Sequence, residues 1–144
     1  MSAALSLKDL ITEAKSRIAE VDVHEAQKLM GDGYRVLDVR EPAEYLSGTI
    51  EGAVHIPRGT LEPACDLEYP GRNPDLQDRA QPWLILCRSG GRAALATEVM
   101  QQMGFSSVKN IIGGMLAWQE ADLPVTIPSD EHSLVQLKEP CYVD

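Results

Sequence analysis

Cys87-Arg88-Ser89-Gly90-Gly91-Arg92 has the residue types for anion chemistry, at a spacing that gathers them in one turn. The cysteine ends an apolar run, WLIL, and a helical pattern over 93–103 begins directly after Arg92. The six residues therefore convert strand into helix. Gly90 and Gly91 permit backbone angles that other residues resist. Successive amide N–H groups in such a turn form an anion-binding nest. The first turn of the helix that follows adds free N–H groups and the positive end of its dipole, and Arg88 and Arg92 add full charges. Helix N-termini and nearby cations favour the thiolate, the nucleophilic form of cysteine. The turn is thus suited to hold a sulfur anion and whatever anionic group that sulfur attacks or carries. Cys65 and Cys141 have no such surroundings and read as small buried hydrophobes. Three cysteines so widely spaced form neither a disulfide framework nor a zinc site.

The elements that must position this turn can be read from periodicity. Leu7, Leu10, Ile11, Ala14 and Ile18 fall at helical spacing over 7–18. A short strand is expected at 21–23 and a helix at 24–30, closed by Gly31-Asp32-Gly33. A strand at 34–39 leads to a short helix at 41–46 with Pro42 in its first turn. A strand at 53–56 ends at Pro57, and a helix is expected over 60–68. A loop at 70–81 carries Gly71 and Pro74. Trp83–Leu86 reads as a strand buried on both faces. The helix at 93–103 is ended by Gly104, and a strand at 108–112 and a helix at 115–121 complete the pattern. Strands alternating with helices through short connections imply an α/β domain with a largely parallel sheet. The ligand crevice of such sheets lies beyond the carboxyl ends of the strands, and Cys87 falls at such an end.

The chain's 144 residues suffice for one domain with a core. A net charge of −9 argues against a nucleic-acid binder, which would present a basic face. It also makes binding of a small anion depend on a local positive site. No run approaches the roughly 18 apolar residues that span a bilayer, so no membrane partner is expected. Asp9 and Glu13 near the start disfavour a mitochondrial presequence, and a cytoplasmic protein is the simplest reading. We divide the chain into an N-terminal helical extension (1–19), the α/β domain (20–126) and a weakly periodic C-terminal extension (127–144).

The cysteine loop, following WLIL, resembles the active-site loop of rhodanese-domain sulfurtransferases. The remaining motifs agree in order: Leu37-Asp38-Val39-Arg40 with Glu44-Tyr45, then Gly48-Thr49-Ile50-Glu51-Gly52-Ala53 running to His55-Ile56-Pro57. Gly113-Gly114 with Ala117-Trp118, then Leu123-Pro124-Val125, resembles the closing segment of that family, so the likeness spans about residues 20–125. It implies a rhodanese-like α/β fold of about five mostly parallel strands with helices on both faces. It also implies a thiosulfate sulfurtransferase in which the Cys87 thiolate takes the outer sulfur of a small anionic donor as a persulfide. A thiophilic acceptor, cyanide or a thiol, then removes that sulfur. No metal or organic cofactor is implied. Cysteine phosphatases and some arsenate reductases show C-x5-R, whereas Cys87 and Arg92 show C-x4-R, a tighter cradle better fitted to one sulfur than to a tetrahedral oxyanion. The resemblance also implies thiosulfate rather than mercaptopyruvate as donor, because the family's thiosulfate enzymes often carry a basic residue at the position of Arg88, where the mercaptopyruvate type usually has glycine. Two alternatives are a non-catalytic partner-binding module and a persulfide relay to a protein acceptor.

Supporting roles follow. Arg88 is the expected donor contact, with the Gly90 and Gly91 amides around the sulfur, and Ser89 either supplies a hydroxyl donor or only shapes the turn. Arg92 either folds over the pocket or leaves its N–H to act alone. Arg58 is expected to add to anion attraction, with a solvated surface arginine as the alternative. Arg40 is expected to pair with Asp38 or Glu44 and organise a loop. A thiolate already formed needs no general base, so His55 reads as a structural or surface residue. Trp118 reads as core, and a role for Cys141 as a resolving thiol stays open.

Overall fold

The computed structural model describes residues 4–128. Ser6 and Asp9 form a capping box that starts α1 (Leu7–Lys15). The first strand, β1, is Ala19–Val21 rather than 21–23. The difference has a local cause: the Asp22 side chain accepts from the Glu25 amide and caps α2 (Val23–Gly31), so Asp22 and Val23 belong to the helix start. β2 (Arg35–Asp38) and α3 (Pro42–Leu46) follow, with Pro42 in the first turn. β3 is Val54–His55.

The helix expected over 60–68 resolves into a 3-10 turn, Arg58–Thr60, and a short α4, Leu61–Cys65, ended by extended Asp66. The long loop holds one further 3-10 turn, Pro74–Leu76. Next come β4 (Trp83–Leu86), α5 (Gly91–Gln102), β5 (Val108–Ile111) and α6 (Gly114–Glu120).

The five strands form one sheet in the order β1-β5-β4-β2-β3, and every pairing is parallel. β4 lies at the centre, and all four of its side chains are fully buried, as its unbroken apolar run predicts. Alternation sorts the side chains between two cores. Leu84 and Leu86 join Val36 against Val23 and Ala26 of α2 and Met115 and Trp118 of α6. Ile85 and Cys87 join Leu37 and Val39 against Leu61 and Ala64 of α4 and Ala93, Ala96 and Met100 of α5. Helices thus cover both faces. Cys87 continues the alternation of β4 one residue past its end, which directs its side chain beneath the start of α5. No helix among the described residues is long and apolar enough to cross a membrane. Cys141 and nearly all of the C-terminal extension lie outside the described residues.

Candidate active site

The Cys87 side chain is 1% exposed. Its Sγ accepts two backbone hydrogen bonds, from the Gly90 amide at 3.0 Å and the Ala93 amide at 3.3 Å. Gly90 reaches this position in the left-handed region (φ 102°), where it caps α5 and where a side chain would be strained.

The loop is held from outside by its carbonyl oxygens. The Met115 amide donates to Cys87 O at 2.8 Å and the Leu116 amide to Arg88 O at 3.0 Å, both from the first turn of α6. Gly90 O accepts from the Ala94 amide at 3.0 Å and from Asn110 Nδ2 at 3.2 Å. In a trans peptide the C=O of one residue and the N–H of the next point in opposite directions, and the described chain has no cis bond. Pinning these three carbonyls outward therefore turns the amides of Arg88, Ser89 and Gly91 the opposite way. The amides of Ser89, Gly91 and Arg92 find no acceptor among the described residues, which leaves spare donors in the loop that follows the sulfur. The N-terminal helix borders the same loop: a Cβ on Gly91 would lie 2.8 Å from Ile11 Cδ1.

The arginines divide by partner. Arg92 forms a two-pronged ion pair with Glu44, Nη1 to Oε1 at 2.7 Å and Nη2 to Oε2 at 2.9 Å. Its side chain is tied to α3, although its cation stays within electrostatic reach of Cys87. Arg58 Nη1 donates to Glu62 at 2.8 Å, one helical turn on, so its charge is neutralised locally rather than offered to an anion. Arg88 is exposed and makes no ion pair among the described residues. It is the loop cation with a free guanidinium. Ser89 is exposed beside it.

Arg40 and Asp38 are both buried and meet through several contacts, with Arg40 Nε at 3.0 Å from Oδ1 and Nη2 at 2.8 Å from Oδ2. Arg40 Nη2 also donates to Gly48 O at 2.6 Å, and the Thr49 hydroxyl donates to Asp38 at 2.8 Å. A buried pair is tolerated when its remaining polar atoms are bonded in this way. Arg40 thereby fastens the turn after β2 to the segment leading into β3. His55 is buried rather than on the surface. Its ring stacks on Tyr45 with centroids 4.1 Å apart, and its Nε2 donates to Arg40 O at 2.8 Å. Burial pushes the Cys65 thiol up to about 12, which removes it as a nucleophile.

The hydrogen bonds from Arg92 hold the Glu44 carboxyl down at about 2, against an ordinary 4.5. A carboxylate whose folded value is depressed stabilises the fold above its ordinary value and loses that contribution as pH falls toward the folded one. The Glu44–Arg92 pair should therefore weaken from 4.5 down to about 2. Glu44→Gln should flatten the fall of the urea midpoint across that window. Parallel curves for the two proteins would remove the pair from the acid response.

Several contributors were not evident from residue type. The Ala93, Met115 and Leu116 groups act through main-chain amides, which carry no side-chain signature. Asn110 shares its strand with a second polar residue, Lys109, and only its complete burial in the structure sets it apart.

Comparison with known proteins places the chain. The Rhodanese-like domain family model matches residues 22–121. Thiosulfate sulfurtransferase 16, chloroplastic, of Arabidopsis thaliana is 34% identical over 121 residues, covering 76% of this chain and 95% of that relative. Human thiosulfate:glutathione sulfurtransferase is 31% identical over 110 residues, covering 71% and 94%. A Rhodopseudomonas palustris protein of unknown function, described as a possible tyrosine phosphatase, superposes with a TM-score of 0.80 at 30% identity, over 88% of this chain and 98% of that one. The family match runs through the α/β unit from α2 to α6 and takes in the cysteine loop, and the chain belongs to the Rhodanese-like domain family.

Proposed function

We propose that this protein is a sulfurtransferase that accepts sulfane sulfur from thiosulfate on Cys87 and passes it to a thiophilic acceptor. The observation that carries this reading is the Cys87 sulfur accepting two main-chain N–H groups where the central strand ends. The names of relatives that are thiosulfate sulfurtransferases support the donor. In the first step the Cys87 thiolate attacks the outer sulfur of thiosulfate. The S–S bond of the donor breaks, its electron pair leaves with sulfite, and a persulfide remains on Cys87. In the second step cyanide or a thiolate attacks the outer persulfide sulfur. The Cys87 thiolate is regenerated, and thiocyanate or an acceptor persulfide departs. This is covalent catalysis with cysteine as carrier.

Each stage keeps a sulfur anion within the loop, on Sγ as the thiolate and on the outer sulfur as the persulfide, so main-chain donors can serve both. Arg88 meets the incoming donor with its unpaired cation. Arg92 acts through its amide and its Glu44-tethered charge, while Arg58 is engaged by Glu62. The phosphatase description of the Rhodopseudomonas relative gains no support here, because Cys87 and Arg92 are separated by four residues and Glu44 holds the arginine fork that a phosphate would need.

The test is intact mass after the reduced protein meets thiosulfate, followed by cyanide and detection of thiocyanate. A gain of one sulfur atom, discharged by cyanide, is expected. Loading without discharge would move the reading to a relay with a protein acceptor, for which a relative named as a sulfur carrier gives precedent. No gain overturns thiosulfate as donor.

A further inference from the structure

We infer that Asn110 is a positioning residue for the cysteine loop, tying the carbonyl of Gly90 to the sheet and so fixing the residue whose own N–H donates to the Cys87 sulfur. The inference rests on Cys87 being the nucleophile. Asn110 lies on β5, fully buried, between β1 and β4, in register with Glu20 on one side and Ile85 on the other. Its Nδ2 donates to Gly90 O at 3.2 Å and to Glu20 Oε2 at 2.7 Å. Both groups only accept, which settles the amide orientation: reversing it would set Oδ1 against two oxygens.

The price of that orientation is visible, since Asn110 Oδ1 is buried with no partner. An apolar residue would suit a strand whose neighbours, Val108 and Ile111, are buried core. A half-satisfied amide in that position calls for an explanation, and the donor on Gly90 O provides one.

The geometry shows what the donor controls. Of the three carbonyls that hold the loop, two are held by amides of α6, and the third, Gly90 O, is held by α5 and Asn110. The Ala94 bond is α5's own first hydrogen bond and travels with the helix. Asn110 instead ties this peptide to the sheet. The same peptide carries the Gly91 N–H on its far side, and Gly90 itself donates to Sγ at 3.0 Å. The tether continues outward, because Lys15 of α1 faces Glu20 at 3.8 Å. Without Asn110 the glycine pair can rotate, and the cradle around the sulfur loses alignment without losing any group that touches substrate.

The experiment measures alkylation of Cys87 by iodoacetamide as a function of pH, resolved by peptide mass so that the other cysteines do not contribute. Wild type, Asn110→Asp, Asn110→Ser and Met100→Ala are compared, each with its urea midpoint. Met100→Ala opens the core beneath α5 and reproduces a loss of stability without touching the tether. Both Asn110 variants should alkylate about tenfold more slowly at neutral pH, with the midpoint of the pH curve moved upward, as loss of an aligned donor requires. Met100→Ala should keep the wild-type midpoint. Should the aspartate variant fail to fold, the smaller, neutral serine variant decides. Folded Asn110 variants with the wild-type pH curve, or a shift matched by Met100→Ala, overturn the inference. A wild-type Cys87 no more reactive than buried Cys65 overturns the nucleophile assignment, and the inference with it.

Discussion

Replacing Cys87 with serine is expected to abolish sulfur loading from thiosulfate and to lower thiocyanate formation by roughly four orders of magnitude or more, the scale seen when a covalent nucleophile is removed. The substitution is small. A serine oxygen can accept from the same Gly90 and Ala93 amides, so the loop and the urea midpoint should change little. The chemistry does not survive, because a neutral hydroxyl is a poor nucleophile toward sulfur and no persulfide can form on oxygen. Cys65→Ser provides the contrast. That thiol sits in the core with α4, where a buried hydroxyl needs a partner, so its loss should lower stability while one sulfur still loads. Loading that persists in Cys87→Ser, or vanishes in a folded Cys65→Ser, would sink the assignment.

The cysteine loop could be found from sequence because its logic is local. A strand end, two glycines and two arginines within six residues announce an anion turn before any partner is known. Strand β4 was equally legible, since four apolar residues in a row suit only a position covered on both faces. The supporting contacts were less so, because each depends on a distance across the fold. Arg92 offered two readings until Glu44, 48 positions earlier, was found against it. Arg40 could have taken Asp38 or Glu44, and it takes Asp38 while Glu44 holds Arg92. Asn110 lies 20 positions from the glycine it holds, and the pleat alone does not say which polar group in a strand faces a loop. β1 was displaced for a smaller reason: Val21-Asp22-Val23 alternates like a strand, yet the capping bond of Asp22 outweighs two residues of alternation.

The Gly113-Gly114 pair shows how little of the site's support residue type alone reveals, and it carries the largest expected effect on the fold. Gly114 has φ 54°, and a Cβ built there would lie 2.4 Å from Cys87 O and 2.8 Å from Arg88 O. Those are backbone atoms and cannot swing aside, so either α6 must retreat or the cysteine loop must move. Gly114→Ala should cost about 3–5 kcal/mol, combining left-handed strain with the clash. The retreat would pull the Met115 and Leu116 amides from the Cys87 and Arg88 carbonyls and free the stretch of loop that leads to Gly90, whose N–H donates to the sulfur. Gly113→Ala is the matched comparison. It is also left-handed (φ 76°), but its Cβ would meet Ala117 Cβ at 2.6 Å, within α6 itself. Gly113→Ala should therefore lower the urea midpoint while Cys87 keeps its alkylation rate in the folded protein. Gly114→Ala should lose both. Equal loss of Cys87 reactivity in the two folded variants would mean that the helix start, and not its grip on the two loop carbonyls, sets the cradle.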